Sequence, residues 1–255
     1  MLQNILNKFN PITLEELDKV KLLNRTDTKF VLGYSTLESI LESISDSYDI
    51  LCIENQRTND YRTLYFDYDN FELYNRHHRG FVDRYKVRIR KYLDSDLCFL
   101  EIKHKIKGRT DKRRIRINDF EENLSAESLS FISENSNLDI SQLKYTLYNQ
   151  FTRITLAHKS EQERVTVDLN LSFENNEVPL LFEHLVIAEV KQERVNMQSD
   201  IIIALKKHGV RPDRISKYCV GSLLLYPQLK YNNFKSKVIK IAKLHGKSFS
   251  DIKQV

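Results

Sequence analysis

Basic side chains recur at every second position along one segment of this chain, residues 84–90. Residues i and i+2 of a β-strand point to the same face, about 7 Å apart. The intervening positions 85, 87 and 89 are apolar or aromatic and require a core. Four cations that repel one another in one row are typical of a surface that binds an anion. The row consists of Arg84, Lys86, Arg88 and Arg90.

Further segments repeat this alternation and bring a few carboxylates to the same faces. A solvated sheet face normally mixes signs, so that residues opposite one another attract, whereas the faces between 84 and 116 are almost entirely positive. We therefore predict antiparallel strands over 84–116 and 153–191 that direct cations at one shared polyanion, a chain of phosphates. The residues that share faces by alternation are Glu101, Lys103 and Lys105; Lys112, Arg114 and Arg116; Arg164, Thr166 and Asp168; and Glu189 and Lys191.

The charge of the chain is concentrated in the same region. Residues 76–116 carry 15 Arg or Lys and 5 Asp or Glu, a local net charge of +10, whereas the whole chain carries +5. Such asymmetry predicts an anionic partner at one place. Neither a G-x-x-x-x-G-K-[ST] loop nor a G-x-G-x-x-G motif occurs. Side chains, rather than a backbone loop, must therefore hold any phosphates.

The composition is that of a globular protein with few interruptions. Only 6 Gly and 4 Pro occur among the 255 residues, which argues against long linkers. We recognise no signal peptide and no apolar run long enough to cross a bilayer. Cys52, Cys98 and Cys219 are scattered and lack metal-site spacing, which indicates reduced thiols. We therefore expect a cytoplasmic location and no transmembrane segment.

Local patterns predict a mixture of helices and strands. Ser35 and Glu38 have the spacing of a capping box at the start of a helix. Asp67 and Asp69 follow an aromatic strand and are expected to shape a turn. Helices are predicted over 13–22, 36–45, 126–134, 141–149, 200–208 and 215–225, with a short turn or helix over 71–78. Strands are predicted over 25–32, 60–67, 83–93, 97–107, 112–117, 150–158, 163–171 and 185–195.

The C-terminal segment is rich in lysine. We predict that residues 1–228 form the main domain and that 229–255 form a lysine-rich helix or tail. Phe234, Val238, Ile241 and Leu244 give this segment an apolar stripe, which favours an amphipathic helix packed on the domain. The alternative is a surface for a partner or for anionic lipid.

Seven short motifs stand in a fixed order along the chain: R-T-D-T-K-F (25–30), Y-R-T-L-Y-F-D (61–67), H-R-G-x-x-x-R-Y-K-V-R-I-R-K-Y (78–92), F-L-E-I-K-H-K (99–105), R-V-T-V-D (164–168), A-E-V-K (188–191) and R-I-S-K-Y (214–218). Together they resemble the VTC domain, the catalytic domain of the polyphosphate polymerase in the vacuolar transporter chaperone complex. The resemblance covers about residues 20–226.

The resemblance implies a triphosphate tunnel metalloenzyme, similar to the CYTH proteins. The implied fold is α+β, with a closed antiparallel β-barrel tunnel of about eight strands and flanking helices. The implied activity is transfer of the ATP γ-phosphate to a growing polyphosphate chain, with Mn²⁺ or Mg²⁺ required. ATP and inorganic polyphosphate are then the partners, and no nucleic acid is expected.

The resemblance and the strand alternation together assign the site residues. Glu189 is the implied metal ligand, while Glu101 and Asp168 share the inward face and could hold the metal or orient a lysine. Tyr65 and Tyr218 are assigned as ring contacts to the nucleotide or the tunnel wall. The cations assigned to catalysis are Arg88, Arg90, Lys103, Arg153, Arg164 and Lys191. Those assigned to phosphate binding are Lys29, Lys86, Lys105, Lys112, Arg114 and Lys217.

The chain departs from related enzymes at its first strand. CYTH enzymes open with E-x-E-x-K, whereas this strand offers Thr26, Thr28 and Lys29, which disfavours cyclase and thiamine triphosphatase activity. Neither an SPX sensor domain nor membrane helices are recognised. The alternatives are an inorganic triphosphatase or short-chain polyphosphatase, and a non-catalytic polyphosphate- or nucleotide-binding module. An RNA-binding barrel is disfavoured because Tyr85 falls on the face opposite the cations.

Overall fold

The chain is seen in a computed structural model that describes residues 1–19, 25–175 and 179–248. Among these residues it forms twelve strands separated by short helices. The strands are β1 (Asn10–Ile12), β2 (Thr26–Gly33), β3 (Tyr48–Leu51), β4 (Asn59–Asp67), β5 (Arg84–Tyr92), β6 (Leu97–Ile106), β7 (Arg109–Ile117), β8 (Lys144–His158), β9 (Glu163–Glu174), β10 (Leu180–Phe182), β11 (Leu185–Gln192) and β12 (Pro212–Asp213).

The helices are short and connect the strands. Two 3₁₀ turns, Ile140–Gln142 and Asn232–Phe234, accompany them. The α-helices of the described residues are α1 (Leu2–Leu6), α2 (Leu14–Lys19), α3 (Tyr34–Ser43), α4 (Glu72–His78), α5 (Ala126–Asn135), α6 (Asp200–Lys207), α7 (Lys217–Leu225) and α8 (Lys235–Leu244).

The strands pair into a large sheet that is almost entirely antiparallel. In the described part of the chain the hydrogen-bonded order is β12-β2-β11-β9-β8-β4-β5-β6-β7, with β1, β3 and β10 attached beside this path. Only β1 and β3 pair in parallel. The prediction of a mixed α and β fold is confirmed. The predicted closed barrel of about eight strands is not confirmed, because the pairing order is open and includes more strands.

The contacts divide the chain into two compact units. Unit 1 comprises Met1–Asp60, Phe151–Leu171 and Phe182–Ile215, and unit 2 comprises Tyr61–Gln150, Ser172–Leu181 and Ser216–Val255. Several strands are shared, because β4, β8 and β9 each pass from one unit into the other. The predicted boundary near residue 228 stays a prediction.

Unit 1 has its core on one face of β2, β9 and β11. The register places Ala188 opposite both Phe30 and Val167. These side chains are buried together with Ile40 of α3 and Ile201 of α6. Side chains alternate across a strand, so the next position of β11, Glu189, lies on the opposite face, as the sequence predicts.

In unit 2, strands β5 and β6 show the same alternation between a buried apolar face and a charged face. Val87, Ile89, Leu100 and Ile102 are buried in one core cluster. The cations at 84, 86, 88 and 90 therefore share the opposite face, which confirms the alternation read from the sequence. The two strands are joined by a tight turn in which Asp96 adopts a left-handed conformation, with φ of 51°.

The predicted helix over 141–149 is wrong. A single 3₁₀ turn ends at Gln142, and the chain then enters the long strand β8. Aromatic and β-branched residues such as Tyr145, Thr146 and Tyr148 favour a strand. Asp139 caps the preceding turn by accepting a hydrogen bond from the Ser141 amide at 3.1 Å, so the backbone leaves the helical conformation before residue 144.

The start of α3 also differs from the prediction. The helix begins at Tyr34 after Gly33, and no side chain caps it. Ser35 lies inside the first turn, so the capping box predicted from Ser35 and Glu38 is wrong. Instead, the Thr36 hydroxyl donates to the Gly33 carbonyl at 2.9 Å. The predicted first helix is present over Leu14–Lys19, and its residues 20–22 lie outside the described residues.

The lysine-rich segment forms α8 and packs on its own unit. Val238, Ile241 and Ala242 are buried, so the helix is amphipathic as predicted for these residues. Positions 249–255 lie outside the described residues. Within the described ranges, no helix is long and apolar enough to cross a membrane.

Candidate functional site

Unit 2 places three lysines side by side on adjacent strands. Lys103 on β6 lies opposite Lys86 on β5 and opposite Lys112 on β7. Like charges directly opposite one another destabilise an antiparallel pair. A neighbouring anion must therefore neutralise the positive charge of this row. The next row of the sheet neutralises only part of it.

That next row contains one buried carboxylate, Glu101, on the face with Arg88 and Lys112. Arg88 Nε donates to Glu101 Oε2 at 2.7 Å, and Arg88 Nη2 forms an ion pair with the same oxygen at 2.6 Å. Lys112 Nζ pairs with Glu101 Oε1. The Glu101 side chain is 0% exposed. We call the side chains of Arg88, Arg90, Glu101, Lys103 and Lys112 the Glu101 face.

The electrostatics of the Glu101 face show an excess of positive charge. Burial alone would raise the pKa of the Glu101 carboxyl, but the surrounding cations, Arg88 foremost, hold that pKa well below its usual range. The Arg88 charge and burial hold the pKa of Lys103 well below its ordinary value. Burial also lowers the pKa of Lys112. One carboxylate is thus shared among four cations, and an added anion would relieve their repulsion.

Aromatic residues support the same face from the adjoining strand β4. Tyr65 lies opposite Arg88 in the register, and Arg90 Nε donates to Thr63 Oγ1 at 3.3 Å. The Tyr65 ring packs against that of Tyr218, with centroids 5.1 Å apart. Both tyrosines are buried, at 3% and 2% exposure. Their assignment as nucleotide contacts stays a prediction, since neither ring is exposed.

Asp67 fixes the start of α7 and the turn into α4. It accepts hydrogen bonds from the amides of Leu73 and Tyr74, both at 2.9 Å, and from the Tyr218 hydroxyl. Burial raises the pKa of the Asp67 carboxyl, and the hydrogen bond from Tyr218 opposes that rise most strongly. Asp67 shapes the turn as predicted and also holds Tyr218, which directly follows Lys217 in the chain.

Removing the Tyr218 hydroxyl should destabilise unit 2. Tyr218→Phe deprives the buried Asp67 carboxylate of one donor, so we expect the free energy of unfolding to fall by about 1–3 kcal/mol, measured by urea denaturation. Tyr92→Phe is the matched control, because the Tyr92 hydroxyl makes no hydrogen bond among the described residues. Equal stability of the two variants would contradict the role given to Asp67.

Unit 1 carries a second group of charged side chains, on β2, β9 and β11. Lys29 Nζ lies 3.1 Å from Glu189 Oε2, and Lys191 Nζ lies 3.1 Å from Glu189 Oε1. Lys191 also donates to Thr166 Oγ1 at 3.0 Å. Burial lowers the pKa of Lys191. We call the side chains of Lys29, Arg153, Thr166, Asp168, Glu189 and Lys191 the Glu189 face.

Two arginines of unit 1, Arg153 and Arg164, have different kinds of partner. Arg153 makes a two-pronged ion pair with Asp168, with distances of 2.6 and 2.8 Å. Arg164 donates to the Leu17 carbonyl of α2 and lies 3.5 Å from Asp18. Asp168 therefore binds an arginine, whereas the sequence analysis gave it a metal or a lysine as partner. Arg164 is directed towards α2, a contact that alternation along β9 could not show.

A family model of the VTC domain matches residues 24–226 of this sequence. The chain belongs to the VTC-domain family. The match covers both groups of charged strand residues and ends just after α7, so α8 lies beyond it. No curated protein matches the sequence.

Solved structures of similar fold accompany this family match. A candidate adenylyl cyclase from Hippeastrum, described as having a dominant triphosphatase activity, is 14% identical, with a TM-score of 0.50. The alignment covers 77% of this chain and 94% of that one. A candidate adenylate cyclase from Bacillus halodurans is 13% identical with a TM-score of 0.48, covering 76% of this chain and 94% of that one. At this identity the first likeness shows the fold alone.

The carboxylates of this VTC-domain protein differ in how well they suit a divalent metal. Mg²⁺ is commonly held by one or two carboxylates together with substrate phosphates. Among the described residues, no group of three or more His, Cys, Asp or Glu could hold a metal. Glu189 is 21% exposed and could serve as the single carboxylate ligand. Glu101 does not suit this role, because it is fully buried and both oxygens are paired with cations.

The remaining predicted residues belong to unit 2. Lys86 Nζ donates to the Ser216 hydroxyl at 2.8 Å, and Ser216 caps α7 immediately before Lys217. Lys105 lies opposite Arg84, and Arg114 lies opposite Glu101. Sequence reasoning did not assign Thr63, Thr166 or Ser216 to the site. Alternation placed Thr166 on the face of Arg164 without giving it a role, whereas the contact of Ser216 depends on tertiary packing.

Proposed function

We propose that this protein transfers the γ-phosphate of ATP to inorganic polyphosphate, with Mn²⁺ or Mg²⁺ as cofactor. The observation that carries the proposal is the Glu101 face, where four cations share one carboxylate. A chain of phosphates supplies the negative charge that this face lacks. Membership of the VTC-domain family supports the same class of ligand. Three free cysteines favour a cytoplasmic setting.

The chemistry needs positioning and charge neutralisation more than covalent help. Phosphoryl transfer spreads charge over the equatorial oxygens of the γ-phosphate. Arg88 and Arg90 offer planar guanidinium groups for two-pronged contacts, while Lys103 and Lys112 act as compact charges. The attacking group is an ionised terminal phosphate oxygen of the polymer, so no side chain has to remove a proton. The new P–O bond forms as the bond between the γ-phosphorus and the ADP oxygen breaks.

The Glu189 face would hold the cofactor in this scheme. Its carboxylate, with phosphate oxygens, suits a hard divalent cation, which would neutralise phosphate charge and fix the geometry of the transfer. Lys29 and Lys191 lie 3.1 Å from that carboxylate and would then be released to contact phosphate oxygens. By this exchange of partners, the Glu189 face could accept both the divalent cation and the phosphate anion.

A triphosphatase is the second candidate function. The same residues would serve if water replaced the polymer end as attacking group. The dominant triphosphatase activity described for the structural relative from Hippeastrum supports this alternative. The two functions differ only in the acceptor, so their products separate them.

Incubation with ATP and Mn²⁺ tests the proposal directly. Gel analysis for polyphosphate and measurement of released phosphate should show long polymer with little free phosphate. Free phosphate alone would identify a triphosphatase. Neither product, together with tight polyphosphate binding, would identify a non-catalytic binding module.

Polyphosphate binding should be accompanied by proton uptake. The pKa values of Lys103, Lys112 and Lys191 are lowered in the free protein, and a bound polyanion favours their charged forms. The affinity should therefore fall as pH rises from neutrality towards about 10.4, the ordinary value for lysine. Calorimetric titration with tripolyphosphate in two buffers of different ionisation enthalpy measures the protons taken up. Protons are taken up rather than released because binding raises these pKa values.

Substitution of one lysine gives a control for this proton uptake. Lys103→Met should take up fewer protons on binding, whereas Lys144→Met, which alters an exposed lysine of β8, should behave as the unchanged protein. Proton release on binding would contradict the electrostatics described for the Glu101 face.

A further inference from the structure

The helix α8 lies beyond the residues that match the VTC-domain family and has an unusual charge. Between residues 229 and 250 the sequence contains six lysines and no acidic residue. Such a run is often a solvated helix surface. Its position on unit 2 indicates a more specific role.

The segment leading into α8 is fixed to α4 by directed contacts. The Asn233 amide donates to His78 Nε2 at 3.2 Å, and the Asn233 side chain donates to the His78 carbonyl at 2.8 Å. The Tyr74 hydroxyl donates to the Lys230 carbonyl at 2.7 Å. Phe234 packs edge-on against His78, with centroids 5.2 Å apart. The start of α8 is thus held at a defined place on unit 2.

Lys237 and His77 of α4 both lie near the ring of Phe234. Lys237 Nζ lies 4.9 Å from the centroid of the Phe234 ring, and that ring lies 6.0 Å from the His77 ring. The Nδ1 atom of His77 is buried and has no hydrogen-bond partner among the described residues. A buried polar atom without a partner is uncommon and requires an explanation, such as an absent ligand.

Four cations from three elements, β5, β6 and α8, act electrostatically on this imidazole. Burial and the charges of Lys86, Arg84, Lys237 and Lys105, in that order, lower the pKa of His77 to about 2. The ring is therefore neutral. Three of them belong to β5 and β6, and only Lys237 comes from α8.

The three strand cations continue the Glu101 face along β5. Arg84 lies opposite Lys105, one row beyond the pair formed by Lys86 and Lys103. Successive rows on one face are separated by about 7 Å. A phosphate chain bound at Lys103 and Lys86 therefore reaches Arg84 and Lys105 next, and the charges of these two residues and of Lys237 act on the same His77 ring.

We propose that Lys237, together with Arg84, Lys105 and His77, forms an additional phosphate subsite that binds the part of a polyphosphate chain extending beyond the Glu101 face. This inference rests on the proposed function, since it takes polyphosphate as the ligand. The subsite adds affinity for long chains only. A short tripolyphosphate is satisfied by the central cations.

Binding of long and short phosphate chains to Lys237→Ala tests this subsite. Without ATP or metal, and at constant ionic strength, we expect the affinity for long-chain polyphosphate to fall about tenfold, the effect of one charge-assisted contact. Tripolyphosphate affinity should be unchanged. Lys237→Arg should retain both affinities. Lys243→Ala, an exposed lysine in the last turn of the same helix, is the matched control and should change neither.

The outcomes separate this inference from the proposed function. If the unchanged protein binds neither ligand, the proposed function fails with it. If it binds both, and Lys237→Ala weakens neither or weakens both equally, the subsite alone is wrong. An equal loss in Lys237→Ala and Lys243→Ala would show general attraction rather than a site. Loss of binding to phosphatidylserine-containing vesicles, with long-chain binding intact, would assign Lys237 to a membrane surface instead.

Discussion

Replacing Glu189 by Gln is expected to abolish turnover while leaving polyphosphate bound. Gln keeps the shape of the side chain but lacks the charge needed to hold a divalent cation. Lys29 and Lys191, each 3.1 Å from the carboxylate, remain and lose a competing anion. We expect the rate of ADP formation to fall by about 10²–10³-fold, a loss typical of removing one electrostatic contact to a transition state. Polyphosphate affinity should be equal or higher.

The measurement compares initial rates with direct binding of polyphosphate. Glu161→Gln is the matched control, because Glu161 is an exposed residue in the turn between β8 and β9, and it should keep both properties. Loss of polyphosphate binding in folded Glu189→Gln protein would show that the carboxylate orients lysines rather than holding a metal. Unchanged turnover would exclude Glu189 from the chemistry.

Replacing Glu101 by Gln should instead act on stability. Both oxygens of this fully buried carboxylate are paired, with Arg88 and with Lys112. Removing one partner of a buried ion pair leaves uncompensated charge, and typically costs about 3–5 kcal/mol. We expect a loss of that size in the free energy of unfolding, measured by urea denaturation. Added tripolyphosphate should stabilise the variant more than the unchanged protein, because it replaces the missing anion.

Glu127→Gln serves as the control for the Glu101 variant. Glu127 is exposed in the first turn of α5, so its replacement should change the free energy of unfolding by less than about 0.5 kcal/mol. A similarly small change in Glu101→Gln would mean that Arg88 and Lys112 find other compensation, and the central place given to Glu101 would be wrong.

Glu101 should also make stability depend on acid pH. Its pKa in the folded protein is lowered, so its contribution to stability is present above about 4.3, the usual value for Glu, and is lost as pH falls below it. Denaturation between neutral and acid pH should show this loss in the unchanged protein. The part of the pH dependence of the free energy of unfolding that is due to Glu101 should be absent in Glu101→Gln.

The strand faces could be predicted from the sequence because their period is two. Val87 and Ile89 alternate with Arg88 and Arg90, and a buried apolar face leaves only one orientation for the cations. The sequence analysis was wrong for residues 141–149. It predicted a helix there, although the aromatic and β-branched residues of this segment favour the strand that is observed. The capping box predicted at Ser35 was wrong for another reason. The helix begins at Tyr34, one residue before that serine, and Gly33 has no side chain that could cap it.

The roles of the two glutamates could not be separated from the sequence. Alternation places Glu101 and Glu189 equally on charged faces. Their difference depends on which cations stand opposite in neighbouring strands, and register is a property of the folded sheet. Arg88 and Arg114 lie opposite Glu101, whereas Lys29 and Thr166 lie opposite Glu189. Complete burial of Glu101 likewise depends on the packing of β5–β7.

The row of three lysines at Lys86, Lys103 and Lys112 has a consequence for the lifetime of the protein. A face assembled from like charges lowers the stability of the empty chain, and a ligand that binds only the folded state restores it by mass action. Proteases act on transiently opened molecules, so degradation slows as the population of open forms falls. Under the proposed function, the amount of this protein would therefore rise and fall with the supply of phosphate chains.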